Sequence, residues 1–152
     1  MSARETSAVR DARPPAAVLR IVNPVLRALL PSRLGRLIPA LALIEFTGRH
    51  SGRPLSIVVS WHQFEGDRVV LTPAPWRLNF TGGATAKVSW RGQVSAQVGT
   101  LERDPAVVAR AIDAMILGGT SPRILGLSVP AGHTVRADEV LGREMVRFRP
   151  ES

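Results

Sequence analysis

Phe46 to Pro54 reads FTGRHSGRP: two glycines, two arginines, a histidine and the hydroxyls of Thr47 and Ser51, set between apolar runs. These residue types suit an anion. Gly48 and Gly52 allow positive φ and close approach of the backbone, so consecutive N–H groups can converge on one phosphate. Arg49 and Arg53 add charge-assisted bonds that can be bidentate, and His50 and Ser51 add further donors. The same composition also makes an ordinary connection between strands, and the residues by themselves leave both readings open.

A second cluster follows in WRLNF, where Trp76, Asn79 and Phe80 precede Gly82-Gly83. A flat heteroaromatic cofactor needs an aromatic surface and a few amide bonds to its polar ring edge, beside an anion site for its tail. The alternative is a core tryptophan and a turn-capping asparagine. Elsewhere the chemistry is thin. His50, His62 and His133 are too scattered for metal ligation and no HExxH accompanies them. No serine sits in a GxSxG elbow and no triad can be assembled. Glu45, Glu65 and Asp67 are flanked by turn signals and read as solvated carboxylates. Cysteine is absent, which removes thiol nucleophiles, disulfides and iron–sulfur chemistry.

The elements that would position these residues are short. Leu41–Phe46 reads as a strand ahead of the loop. Leu55–Phe64 reads as a second, with Ile57, Val59 and Trp61 on one face and Ser56, Ser60 and His62 on the other. Glu65-Gly66-Asp67 turns, and Arg68–Thr72 returns. After the Pro73–Gly83 connection, Ala84–Trp90 and Val94–Thr100 form another hairpin about Arg91-Gly92, with Val94, Ala96, Val98 and Thr100 sharing a face. Asp104-Pro105 caps a helix carrying Val107, Val108, Ala111, Ile112, Met115 and Ile116, stopped at Gly118-Gly119. Ser121-Pro122 starts a short turn and Glu144–Phe148 reads as a final strand. Before all of these, Pro14-Pro15 open an amphipathic helix with Val18, Val22, Val25, Leu26 and Leu29 on one side and Arg20, Asn23 and Arg27 on the other. The expected fold class is α+β: an antiparallel split β-barrel of about six strands with peripheral helices. Residues 1–13 are expected to form a disordered tail, and 14–152 one domain.

The net charge is +8, from 19 arginines and one lysine against 12 acids. Such a field attracts phosphorylated cofactors, nucleic acid or acidic lipids. The arginines are dispersed and no aromatic residues interleave with them, which disfavours nucleic acid. The arginine-bearing helix either covers the core, lies at an anionic membrane surface or closes over a ligand. Leu37–Ile44, the longest apolar stretch, is broken by Pro39 and falls far short of the roughly 20 residues that span a bilayer. The first residues lack an apolar signal region, so the expected location is cytoplasmic.

From Ile44 to Leu101, the order of an apolar strand, TGRHSGRP, a strand with a Trp, an EGDR hairpin, an apolar strand, WRLNF, GG and a hairpin resembles the deazaflavin-dependent nitroreductase family of split-barrel oxidoreductases. That resemblance implies a site for the deazaflavin coenzyme F(420), with FMN or FAD as lesser candidates. Arg49, His50, Ser51, Gly52 and Arg53, with Thr47 and Gly48, would hold the anionic tail. Thr72 to Trp76, including Ala74, and Asn79 would lie along the ring. The implied reaction is hydride transfer to a small electrophilic substrate, the cofactor carrying the reactive hydride. A non-catalytic ligand-binding protein on the same barrel is the alternative, and relatives in this group often pair as homodimers.

Overall fold

A computed structural model describes residues 10–11, 24–125 and 127–151. Within them nine strands and two α-helices occur: β1 (Arg10–Asp11), α1 (24–29), β2 (Leu41–Thr47), β3 (Pro54–Ser60), β4 (His62–Phe64), β5 (Asp67–Thr72), β6 (Ala84–Trp90), β7 (Gln93–Glu102), α2 (Pro105–Leu117), β8 (Leu127–Ser128) and β9 (Glu144–Pro150). Of the expected N-terminal tail only Arg10–Asp11 is described, paired antiparallel with Leu127–Ser128. Val18, Val22, Arg20 and Asn23 of the expected helix lie outside the described residues.

Seven strands form one antiparallel sheet in the order β3-β2-β6-β7-β9-β5-β4. Its two edge strands, β3 and β4, are separated in sequence by Trp61 alone. One run of chain therefore sits at both edges, and the sheet must curl until those edges meet. Counting β3 and β4 as one bent strand gives six staves, so the antiparallel split barrel expected from the sequence is the observed fold. Leu55–Phe64 does differ from a continuous strand. The amide of Trp61 donates to Ala40 O at 2.8 Å, one step past the Leu41–Ser60 pair, and its indole lies in the interior with 5% exposure, after which the chain crosses to pair with β5.

Alternation divides the buried residues into two clusters. Inside the barrel Ile44, Phe46, Val59, Trp61, Val70, Val88, Val146 and Phe148 pack around Phe80. Outside it, Val69 and Met145 face the α2 residues Val108, Ala111, Ile112 and Met115. Helix α2 forms where the sequence places it: Asp104 accepts from the Ala106 amide at 2.9 Å, and Pro105 occupies the first turn. Two-residue turns with positive φ at both positions, Glu65-Gly66 and Arg91-Gly92, close the hairpins in the sense that matches strand twist.

One placement differs from expectation, and one settles a choice that the strand pattern leaves open. Val25 is 58% exposed rather than core-facing; along α1 and just past it the burial falls on Leu26, Leu29 and Leu30, while Arg27 donates to Ser56 O of β3 at 2.7 Å. On β7 the apolar face of Val94, Ala96 and Val98 points outward, with Val94 51% exposed, and the inner face carries Gln97, Gly99 and Leu101. Gly99 is required there, since a Cβ would stand 2.7 Å from carbons of both Phe80 and Phe148.

Candidate functional site

The loop between β2 and β3 is a closed turn. Thr47 pairs with Pro54, Gly48 N donates to Arg53 O at 2.8 Å, Gly52 N to Gly48 O at 3.0 Å, and Arg53 N to Ser51 Oγ at 3.2 Å. Gly52 has the left-handed φ that glycine permits, +68°. Gly48 does not; a Cβ there would meet Ser51 Oγ at 2.5 Å and force that hydroxyl to turn from the Arg53 amide. The Arg49 amide leaves the loop altogether and donates to Asn79 Oδ1 at 2.6 Å. Among the loop amides, those of His50 and Ser51 have no acceptor among the described residues, and the side chains of Arg49, His50, Ser51 and Arg53 are exposed.

Opposite the loop, Pro75–Phe80 is a 3-10 helix led by proline. Asn79 joins the two: besides accepting from Arg49 it donates Nδ2 to Trp76 O at 2.8 Å. Arg49 Nη1 also reaches Leu78 O at 3.5 Å. The start of the turn is held by side chains. Thr72 Oγ1 accepts from Ala74 N at 2.9 Å, and Arg77 Nη1 donates to Pro73 O and Ala74 O at 2.8 and 3.1 Å. Arg77 Nε then donates to Glu144 Oε1 at 2.8 Å, while Arg103 Nε donates to Oε2 at 2.9 Å. Burial would raise the Glu144 carboxyl, but its bonds to two guanidiniums outweigh that and hold it below its ordinary value.

The sequence-nominated residues fall around two hollows rather than one. Arg49, His50, Pro75, Leu78, Asn79 and Thr81 line the larger, about 510 Å³. Thr72 and Trp76 line the smaller, about 190 Å³, with Val58, Ser60, His62, Val70 and Leu125. The smaller hollow lies at the seam where β3 and β5 approach without a ladder between them. Pro75 and Trp76, consecutive in the chain, face different hollows, so the 3-10 turn is the partition. Trp76 packs in the barrel cluster, its ring centroid 6.2 Å from Phe46 and 5.9 Å from Phe80. Thr47, Gly48, Ser51, Gly52, Arg53 and Ala74 line neither hollow; they build the turns that carry the residues that do.

His62 is half-buried at the seam, its Nε2 has no hydrogen-bond partner among the described residues, and burial lowers the pKa of the imidazole. Asp67, expected to be solvated, is buried. Arg149 Nε and Nη2 donate to its two oxygens at 2.8 and 3.0 Å, and Arg147 Nε donates at 3.0 Å. The bond from Arg149 is the main cause of its lowered pKa, burial opposing and Arg147 assisting. These partners lie 80 and 82 residues away, out of reach of any local pattern. Glu144 and Arg103 escaped the sequence for the same reason, whereas Leu78 and Pro75 lay within or beside a flagged motif. Among the described residues no group of three or more His, Asp or Glu side chains is arranged to hold a metal ion.

No protein-family model matches the chain, and no curated protein matches it. Among solved structures it is similar to HutZ, the heme storage protein from Vibrio cholerae, with a TM-score of 0.49 and 14% identity, covering 86% of this chain and 91% of that one.

Proposed function

We propose that this split barrel binds a phosphate-bearing ligand with a flat apolar body, of the deazaflavin or flavin type, in the larger hollow, and that it serves hydride transfer to a small electrophile. The supporting observation is that Arg49 and His50 share a hollow of about 510 Å³ with Pro75, Leu78 and Asn79. One rim offers the Arg49 guanidinium and the unengaged amide of His50, suited to an anionic tail. The opposite wall is mainly apolar, suited to a ring system. The residues thus fit both halves of such a ligand. Asn79, engaged at both ends, positions the walls instead of reading the ring edge.

When bound, the coenzyme supplies the hydride, and the protein's part is to bind, orient and exclude water. Arg49 holds charge, Pro75 and Leu78 cover the body, and the Arg77–Glu144–Arg103 contacts keep the partition in place. Purified protein titrated separately with the deazaflavin coenzyme, FMN and FAD tests the reading. No binding below about 1 mM, equivalent to about 4 kcal/mol, sinks it. Arg49→Ala is expected to lose about 1.5–3 kcal/mol of binding, and Arg53→Ala far less because Arg53 does not line the hollow. Binding of the reduced coenzyme with no oxidation by any nitro or quinone acceptor would identify a carrier rather than an enzyme.

A further inference from the structure

The 3-10 helix Arg33–Leu37, RLGRL, leaves Leu34 52% and Leu37 78% exposed, beside the exposed Arg33 and Arg36. A 3-10 helix eclipses side chains at i and i+3, so the two leucines stack on one stripe and the two arginines on the adjacent one. Two contacts hold this turn in place. Ser32 Oγ accepts from Leu34 N at 3.2 Å, and Gly35 is buried against Gly92 of the β6–β7 turn. A Cβ on Gly35 would stand 3.0 Å from Gly92 N, and one on Gly92 2.8 Å from Ser32 O. This backbone contact sets Arg91 beside the stripe. Next to it, Trp90 donates Nε1 to Pro39 O at 2.7 Å and carries the guanidinium of Arg91 5.4 Å from its ring centroid.

None of Arg33, Arg36 and Arg91 has an ion-pair partner among the described residues, and neither 24–44 nor 84–101 contains an acid. Unopposed cations and two protruding leucines at one end of a barrel match the layering of a lipid interface, with charge at the headgroups and apolar tips below them. The geometry points to an anionic membrane surface as the partner of this end of the barrel. The exposed leucines favour lipid over nucleic acid, which would use the arginines alone. This inference does not rest on the cofactor reading, since these residues line neither hollow. It also differs from the helical contact expected from the sequence, because the leucines belong to the turn after α1.

Sedimentation of the full chain with vesicles of phosphatidylcholine alone, or with about a third phosphatidylglycerol, tests it. Wild type is expected to bind the anionic vesicles and to be released by salt. Each arginine of Arg33→Ala/Arg36→Ala should cost about fivefold in partition. Leu34→Ser/Leu37→Ser should cost on the order of tenfold or more. Both pairs are solvent-facing, and unchanged thermal melts together with unchanged coenzyme titration would confirm that the fold and the hollow persist. Equal partition to neutral vesicles, or wild-type binding by both double variants, overturns the inference. So does self-association in lipid-free buffer that the leucine changes abolish, which would assign the stripe to a second copy. Binding to a short duplex that survives the leucine changes, without vesicle binding, would assign it to nucleic acid.

Discussion

Asn79 Oδ1 accepts the backbone amide of Arg49 at 2.6 Å while Asn79 Nδ2 donates to Trp76 O at 2.8 Å, so one side-chain amide ties the β2–β3 loop to the 3-10 turn 30 residues later. Both halves of the amide are needed, one as acceptor and one as donor. The hollow between loop and turn has its width set by this link.

Asn79→Ala removes both bonds and is expected to destabilise the fold by about 1–2 kcal/mol. Its sharper signature is local. Hydrogen exchange at the Arg49 amide should accelerate well beyond the global change, and ligand affinity should fall. Unaltered exchange at Arg49 would contradict the link.

Glu144 is a carboxylate at 11% side-chain exposure between Arg77 and Arg103. Glu144→Gln leaves Arg77, itself 15% exposed, facing a neutral amide, and is expected to cost about 3 kcal/mol in urea unfolding. The pH dependence has a fixed sign. A folded pKa below the unfolded 4.5 stabilises above that value and is lost as pH falls through the folded one. The acid-induced loss below about pH 4.5 should therefore be shallower in the variant.

His62 behaves oppositely to a surface histidine. Burial lowers its folded pKa from 6.5, so the unfolded chain takes up a proton first as pH falls, and stability decreases by less than about 1.4 kcal/mol per pH unit below 6.5. His62→Gln should flatten the melting temperature between pH 5 and 6.5. An unchanged slope would mean that the imidazole is protonated equally in both states.

Gly99→Ala should destabilise by about 1–3 kcal/mol, because the added methyl meets the Phe80 and Phe148 rings at 2.7 Å and both are fully enclosed. Phe80 ends the 3-10 turn, so the strain should also reduce ligand affinity. Calorimetry with and without ligand separates the two effects.

Local signals found the local structure. Asp104-Pro105 located α2, Glu65-Gly66 and Arg91-Gly92 located the hairpins, and the alternation of Ile57, Val59 and Trp61 identified an inward face. Where the pattern was symmetric it could not choose. Val94, Ala96 and Val98 share a face, but only the glycine-sized space around Phe80 and Phe148 turns that face outward. A strand period of two fixes which residues go together, and packing fixes which way they point.

By itself the sequence determined the order of the barrel strands and of α2, the two hairpin turns and the positive field, because these follow from φ preferences, periodicity and charge count, whereas the short β1–β8 pair carries no such signal. Only the tertiary structure decided that Trp61 bends one strand to both edges of the barrel and that Asp67 and Glu144 are held between arginines. It alone also split WRLNF between two hollows, leaving Leu78 and Asn79 beside Arg49 and His50 and Trp76 apart from them. Those outcomes depend on which residues, 30 to 82 positions apart, the curled sheet brings within bonding distance, and no local pattern encodes that.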